Sequence, residues 1–140
     1  MQVSIYTDGG ARGNPGISGF GLVVLDQSKK IIYQQSKFLG IKTNNEAEYL
    51  GLIAALTWLK DNYQKLSISQ AHYYSDSQLL IRQIEGVYKV KAKNLLPIFN
   101  LAKSLLSQIP IPFLTQDIRR QHNQLADSLA NQAMDTAIDD

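Results

Sequence analysis

Four acidic residues in this chain occupy settings from which they can converge. Asp8 closes the apolar run VSIYTD and is followed at once by GGARGNPG. Asp76 closes a second such run, AHYYSD, ahead of SQ. Glu48 lies early in a long helical pattern just past TNN, and Asp127 sits in HNQLADSLANQAM, which reads as a C-terminal helix. If the two strands run side by side and the two helices cover them, these side chains meet despite their separation in sequence. Carboxylates gathered in this way repel one another unless they hold cations, and hard oxygen ligands suit Mg²⁺ or Mn²⁺. A pair of such ions is equipment for cleaving a phosphodiester. Each acid taken singly also has a plainer role. Asp8 before two glycines starts a turn, and Glu48 complements a helix N-terminus. Asp76 before Ser77 caps a helix, and Asp127 is a surface position on an amphipathic helix. For Asp127 alone the plainer role prevails, whereas the four in their motifs favour a metal site.

The elements that must position these acids are legible as periodicities. Val3, Ile5 and Thr7 alternate with Ser4, Tyr6 and Asp8, which predicts a first strand. A second runs from about Ile17 to Leu25, before the turn-forming DQSKK, and a third from about Ile31 to Phe38. GGARGNPG, with its glycines and proline, predicts an exposed loop between the first two. Short connections make these strands an antiparallel meander. Thr43 or Asn44 caps a helix reaching about Asp61, with Glu46 and Glu48 in its first turn. Leu52, Ala55 and Leu59 follow Glu48 at helical spacing, while Glu46 falls nearer Leu50 and Ile53, so Glu48 is the inward carboxylate. A fourth strand, about Ala71 to Ser75, leads to a short helix from Ser77 to about Ile84, ended by Gly86. A further helix spans about Asn94 to Gln108, a fifth strand about Phe113 to Ile118, and then comes the last helix. Helical crossovers make strands one, four and five parallel, with right-handed connections. The expected architecture is α/β, a mixed five-stranded sheet with helices on both faces, in a single domain over residues 1–140.

Composition narrows the chemistry. Hydrophobic residues make up 44% of the chain, enough for a core. There is no cysteine, hence neither disulfide nor thiolate metal site, and His72 and His122 are too few for a histidine zinc centre. No signal-peptide pattern or membrane-length apolar run is visible, so the expectation is a cytoplasmic protein without membrane association. A formal net charge of +2 does not by itself mark a nucleic-acid binder. Lys89, Lys91 and Lys93 in VYKVKAKN, and Arg119 and Arg120 before the last helix, are its clustered cations.

YTDGGARGNPG, TNNEAEYLGLIAAL, YSDSQLLI and HNQLADSLAN resemble, in order, the motifs of type 1 ribonuclease H, from about residue 3 to residue 134. The resemblance implies the ribonuclease H fold with strand order 3-2-1-4-5, and hydrolysis of the RNA strand of RNA–DNA hybrids to 5′-phosphate and 3′-hydroxyl ends. It implies Asp8, Glu48, Asp76 and Asp127 as catalytic residues and as ligands of two Mg²⁺ or Mn²⁺ ions, with Asp8 bridging. It also implies contact of Asn14, Asn44, Asn45 and Gln78 with the hybrid's minor groove, and a phosphate-binding role for Thr43. Amide side chains donate and accept, which suits a ribose 2′-hydroxyl. A monomer with no obligatory protein partner is expected.

Two departures matter. The best-known bacterial members carry a histidine in a flexible loop before the last aspartate, whereas here IRRQHN runs straight into the helix. That role is therefore not carried over to His122, and Arg119 or Arg120 stands in its place. The segment from Gly86 to Asn94 is short and has no tryptophan, unlike the basic protrusion of those members. The chain thus resembles the compact archaeal, Gram-positive and plant-like branch, which implies weaker hybrid affinity and a preference for Mn²⁺. Two alternatives stay open: a catalytically weak or inactive binding module of the same fold, which has no need to keep four like charges together, and a DNA-junction nuclease, which TNN and DSQ disfavour.

Overall fold

A computed structural model describes residues 1–138. Three strands come first, β1 (Gln2–Gly13), β2 (Gly16–Leu25) and β3 (Ile31–Lys42), followed by helix α1 (Asn44–Asn62). Then come β4 (Gln70–Ser75), α2 (Gln78–Ile84), α3 (Leu96–Ser107) and β5 (Phe113–Asp117). A 3₁₀ turn at Arg120–His122 leads into α4 (Gln124–Ile138). The sheet order is β3-β2-β1-β4-β5, with the first three strands antiparallel and β4 and β5 parallel to β1. The expected topology is the observed one.

The two faces of the sheet are packed differently. Val3, Ile5, Phe20, Leu22 and Val24 bury against Leu52, Ala55, Leu56 and Leu59 of α1, with Leu95 and Ala102 of the α3 region completing this core. The opposite face is closed by α4, whose contact stripe is small: Ala126, Ala130 and Ala133 are all buried. Small residues on the sheet match it. A Cβ on Gly21 would lie 2.1 Å from the Ala126 carbonyl oxygen, and one on Gly19 would lie 2.8 Å from the Ala133 Cβ. The helix axis therefore lies closer to β2 than any larger side chain permits. Because β2 is covered on both sides, its residues from Ser18 to Val24 are all buried, a continuous rather than an alternating pattern.

One expectation fails here. GGARG is not an exposed loop: β1 continues through it, pairing with β2 from Gly9↔Phe20 to Gly13↔Gly16, and only Asn14 and Pro15 form the turn. Glycine lowers strand propensity, yet these residues are paired on one edge and packed close on their faces, so tertiary contact outweighs local preference. β3 likewise extends past Phe38 to Lys42, and α3 starts two residues later than its periodicity suggested, at Leu96.

Candidate active site

Strand register sets two of the acids. β1 and β4 pair in parallel up to Tyr6↔Tyr74, so Asp8 and Asp76, each two residues further on, lie side by side just past the paired region. α1 brings the third. A capping box fixes its start, with Glu46 N–H donating to Thr43 Oγ1 and Thr43 N–H to the Glu46 carboxylate. Gly9 fixes its height over the sheet: a Cβ there would lie 2.4 Å from the Ala47 carbonyl carbon and 2.5 Å from the Glu48 nitrogen. The first turn of α1 thus rests on the β1 backbone, with the Gly9 amide near enough to the buried Glu48 carboxylate to favour its charged form. One oxygen each of Asp8, Glu48 and Asp76 lies within 4.8 Å of the other two. Asp127, exposed on α4, is outside that trio but lines the same cavity of about 240 Å³.

Burial and mutual repulsion make this cluster reluctant to ionise. Burial first, then the charge of Asp76 and the contact with Asp127, push the Asp8 carboxyl up to about 8. Glu48 is driven well above the ordinary range by burial and then by Asp8 and Asp76. Asp76 is also raised by burial, against the opposing pull of the Asn123 amide and the Arg120 guanidinium. Glu48 Oε2 is buried without a hydrogen-bond partner. An unpartnered buried acceptor among carboxyls that cannot all carry charge is a donor set fitted to a hard divalent cation.

Of the other residues singled out from sequence, Asn44 lines this pocket, and several have structural duties. Asn14 Oδ1 accepts from the Asn44 amide at 3.0 Å, and Asn44 Oδ1 accepts from the Ala11 amide at 2.8 Å. Both acceptor oxygens are thus engaged in tying the β1–β2 turn to α1, and the free face of each amide is its Nδ2 donor. Asn45 is exposed in the first turn of α1, and Gln78 is exposed as the first residue of α2. Ser77 caps α2, its Oγ accepting from Leu80 N–H, which leaves Asp76 free of that task. His122 lines a different cavity, beside Tyr6 and Leu25, whereas Arg120 lines the acidic one. Sequence reasoning missed Asn123, buried behind Asp76. The only signal was an asparagine four residues before Asp127 at a helix start, a pattern that surface caps share.

A family described as reverse transcriptase-like matches residues 6–133. The bifunctional protein Rv2228c of Mycobacterium tuberculosis is 42% identical over 138 residues, which is 98% of this chain and 36% of that protein. The chain therefore spans about a third of the length of the first curated relatives it matches. The ribonuclease H of Ruthia magnifica is 32% identical, with 96% of each chain covered. Among solved structures, LC11-RNase H1 in complex with RNA/DNA hybrid superposes with a TM-score of 0.90 at 39% identity, covering 97% of this chain and 99% of that one.

Proposed function

Because the chain belongs to the ribonuclease H family, we propose that it is a metal-dependent endonuclease that hydrolyses the RNA strand of RNA–DNA hybrids. The products are 5′-phosphate and 3′-hydroxyl ends. The observation that carries this reading is the approach of Asp8, Glu48 and Asp76 oxygens within 4.8 Å, with the buried Glu48 Oε2 lacking a partner. Asp8, Glu48, Asp76 and Asp127 would hold two ions, Mg²⁺ or Mn²⁺, which when bound activate a water and stabilise the leaving oxygen.

The chain's own residues supply position and selectivity. The close approach of α1 to Gly9 seats Glu48, and Arg120 offsets the negative charge around Asp76. Asn14 and Asn44, their oxygens occupied, offer Nδ2 donors to ribose 2′-oxygens, and Asn45 and Gln78 extend that surface. Thr43 and the amides at the start of α1 suit a phosphate of the DNA strand. The protein acts as a monomeric cytoplasmic domain without an obligatory partner. No described helix is long and apolar enough to cross a membrane.

A cleavage assay on hybrid, double-stranded RNA and double-stranded DNA, with Mg²⁺, Mn²⁺ or EDTA, tests the proposal. The expected outcome is cleavage of the hybrid alone among hybrid and DNA, abolished by EDTA and restored by either ion. Full activity in EDTA refutes the metal site, and comparable cutting of DNA refutes the assignment of Asn14, Asn45 and Gln78 to ribose recognition.

A further inference from the structure

Asn123 precedes α4, where an asparagine ordinarily caps the helix by accepting from the amides of the first turn. Its main chain behaves accordingly: the Asp127 amide donates to the Asn123 carbonyl at 3.0 Å. Its side chain does not. Oδ1 is buried and has no hydrogen-bond partner. Nδ2 instead donates to the Thr7 carbonyl at 2.9 Å and reaches Asp76 Oδ2 at 3.5 Å. The partners fix which atom is nitrogen, since an oxygen turned toward a carbonyl and a carboxylate would meet acceptors only. The residue is 1% exposed, so bulk solvent does not reach the orphaned oxygen. A helix cap is forgone and a buried acceptor is left unpaired, both destabilising, in return for a donor aimed behind the acidic pocket.

That donor sits at a junction. Asp76 is reached directly. Asp8 follows Thr7, whose carbonyl is held by Asn123 and whose hydroxyl is hydrogen-bonded to Tyr73 of β4 on the other face. Asp127 hangs from the Asn123 carbonyl through its own amide. One buried side chain and its backbone therefore connect β1, the end of β4 and the first turn of α4.

We infer that Asn123 is a positioning residue for the acidic pocket, setting Asp76 and Asp127 against Asp8 rather than capping α4. The inference rests on the nuclease reading above and adds what holds the carboxylates in place. Asparagine, aspartate and serine are about equal as helix caps. If Asn123 served the helix, Asn123→Asp and Asn123→Ser would therefore leave activity and metal affinity unchanged. As a positioning residue it supplies an amide donor that neither replacement has. Both variants should then lose about 10–100-fold in kcat on hybrid and a similar factor in Mn²⁺ affinity measured by calorimetry. KM for the hybrid should be little changed, because no substrate contact is removed. Circular dichroism should remain that of the folded protein for Asn123→Ser, which carries the test if the added carboxylate of Asn123→Asp prevents folding. Wild-type kcat and Mn²⁺ affinity in Asn123→Ser overturn the inference. So does a fall in kcat matched by loss of folded protein, or the failure of both variants to fold. A wild-type protein that binds Mn²⁺ without cutting hybrid would overturn the nuclease reading instead, and the comparison of Mn²⁺ affinities would still decide the case of Asn123.

Discussion

The Asp8 carboxyl, pushed up to about 8 by burial and by its acidic neighbours, gives the metal-free protein a pH dependence of definite sign. In the unfolded chain the same group titrates at about 4. Between these values the folded state holds a proton that the unfolded state has released, so stability falls as pH rises through the window and levels off above it. In EDTA the thermal midpoint should therefore drop from about pH 5 to about pH 8, and Mg²⁺ or Mn²⁺ should raise it most at the upper end. Asp8→Asn removes one of the crowded charges. Its midpoint in EDTA near neutral pH should equal or exceed that of the wild type, with a flatter pH profile, while hybrid cleavage is lost. Thermal scans over this range, paired with cleavage assays, test both statements. A much less stable metal-free mutant, or one cutting at the wild-type rate, would mean that Asp8 serves the fold rather than the chemistry.

Among the elements, the seating of α1 on β1 decides where Glu48 stands. Gly9 and Gly10 are adjacent glycines with opposite consequences. A Cβ on Gly9 collides with helix backbone at 2.4 Å, whereas one on Gly10 meets only the flexible Met134 Cε at 3.7 Å. Gly9→Ala should destabilise the protein by about 1–3 kcal/mol through overpacking. It should also reduce cleavage more than the stability loss explains, because relief comes by lifting the helix that carries Glu48. Gly10→Ala should be close to neutral in stability. Denaturant unfolding of the two variants side by side checks this, and equal costs would show that the close approach is not specific to Gly9. The same pair shows why GGARG misleads as sequence. Glycines marking a loop and glycines admitting a neighbouring backbone look alike until the neighbour is known.

For the whole molecule the question is grip. The net charge is only +2, and the segment between α2 and α3 offers the exposed Lys89, Lys91 and Lys93. Each phosphate neutralised steepens the logarithmic salt dependence of binding by about 0.9 on B-form DNA. Hybrid binding measured with Ca²⁺ at several salt concentrations should show a shallow slope, reduced further when the three lysines are changed to alanine together. A steep slope that survives the triple change would place the main contact elsewhere, near Arg12, Arg119 and Arg120.

Much of this arrangement was already determined by sequence. Alternation in VSIYTD, the TNN start of α1 and the crossover lengths specify a βββα-β-αα-β-α order, whose handedness and parallel pairing bring Asp8 and Asp76 together, since these are local or topological consequences of residue pattern. The helical stripe of Leu52, Ala55 and Leu59 also turns Glu48 inward, and all of them are buried. The tertiary structure alone decided what depends on distance between elements. Asp127 sits outside the tight trio of acids, and Asn14 and Asn44 spend their oxygens on the fold. Arg120 rather than His122 lines the acidic cavity, and Asn123 turns its amide away from its own helix toward Thr7 and Asp76. No periodicity encodes these, because each is a choice between a partner next along the chain and one supplied by another strand or helix.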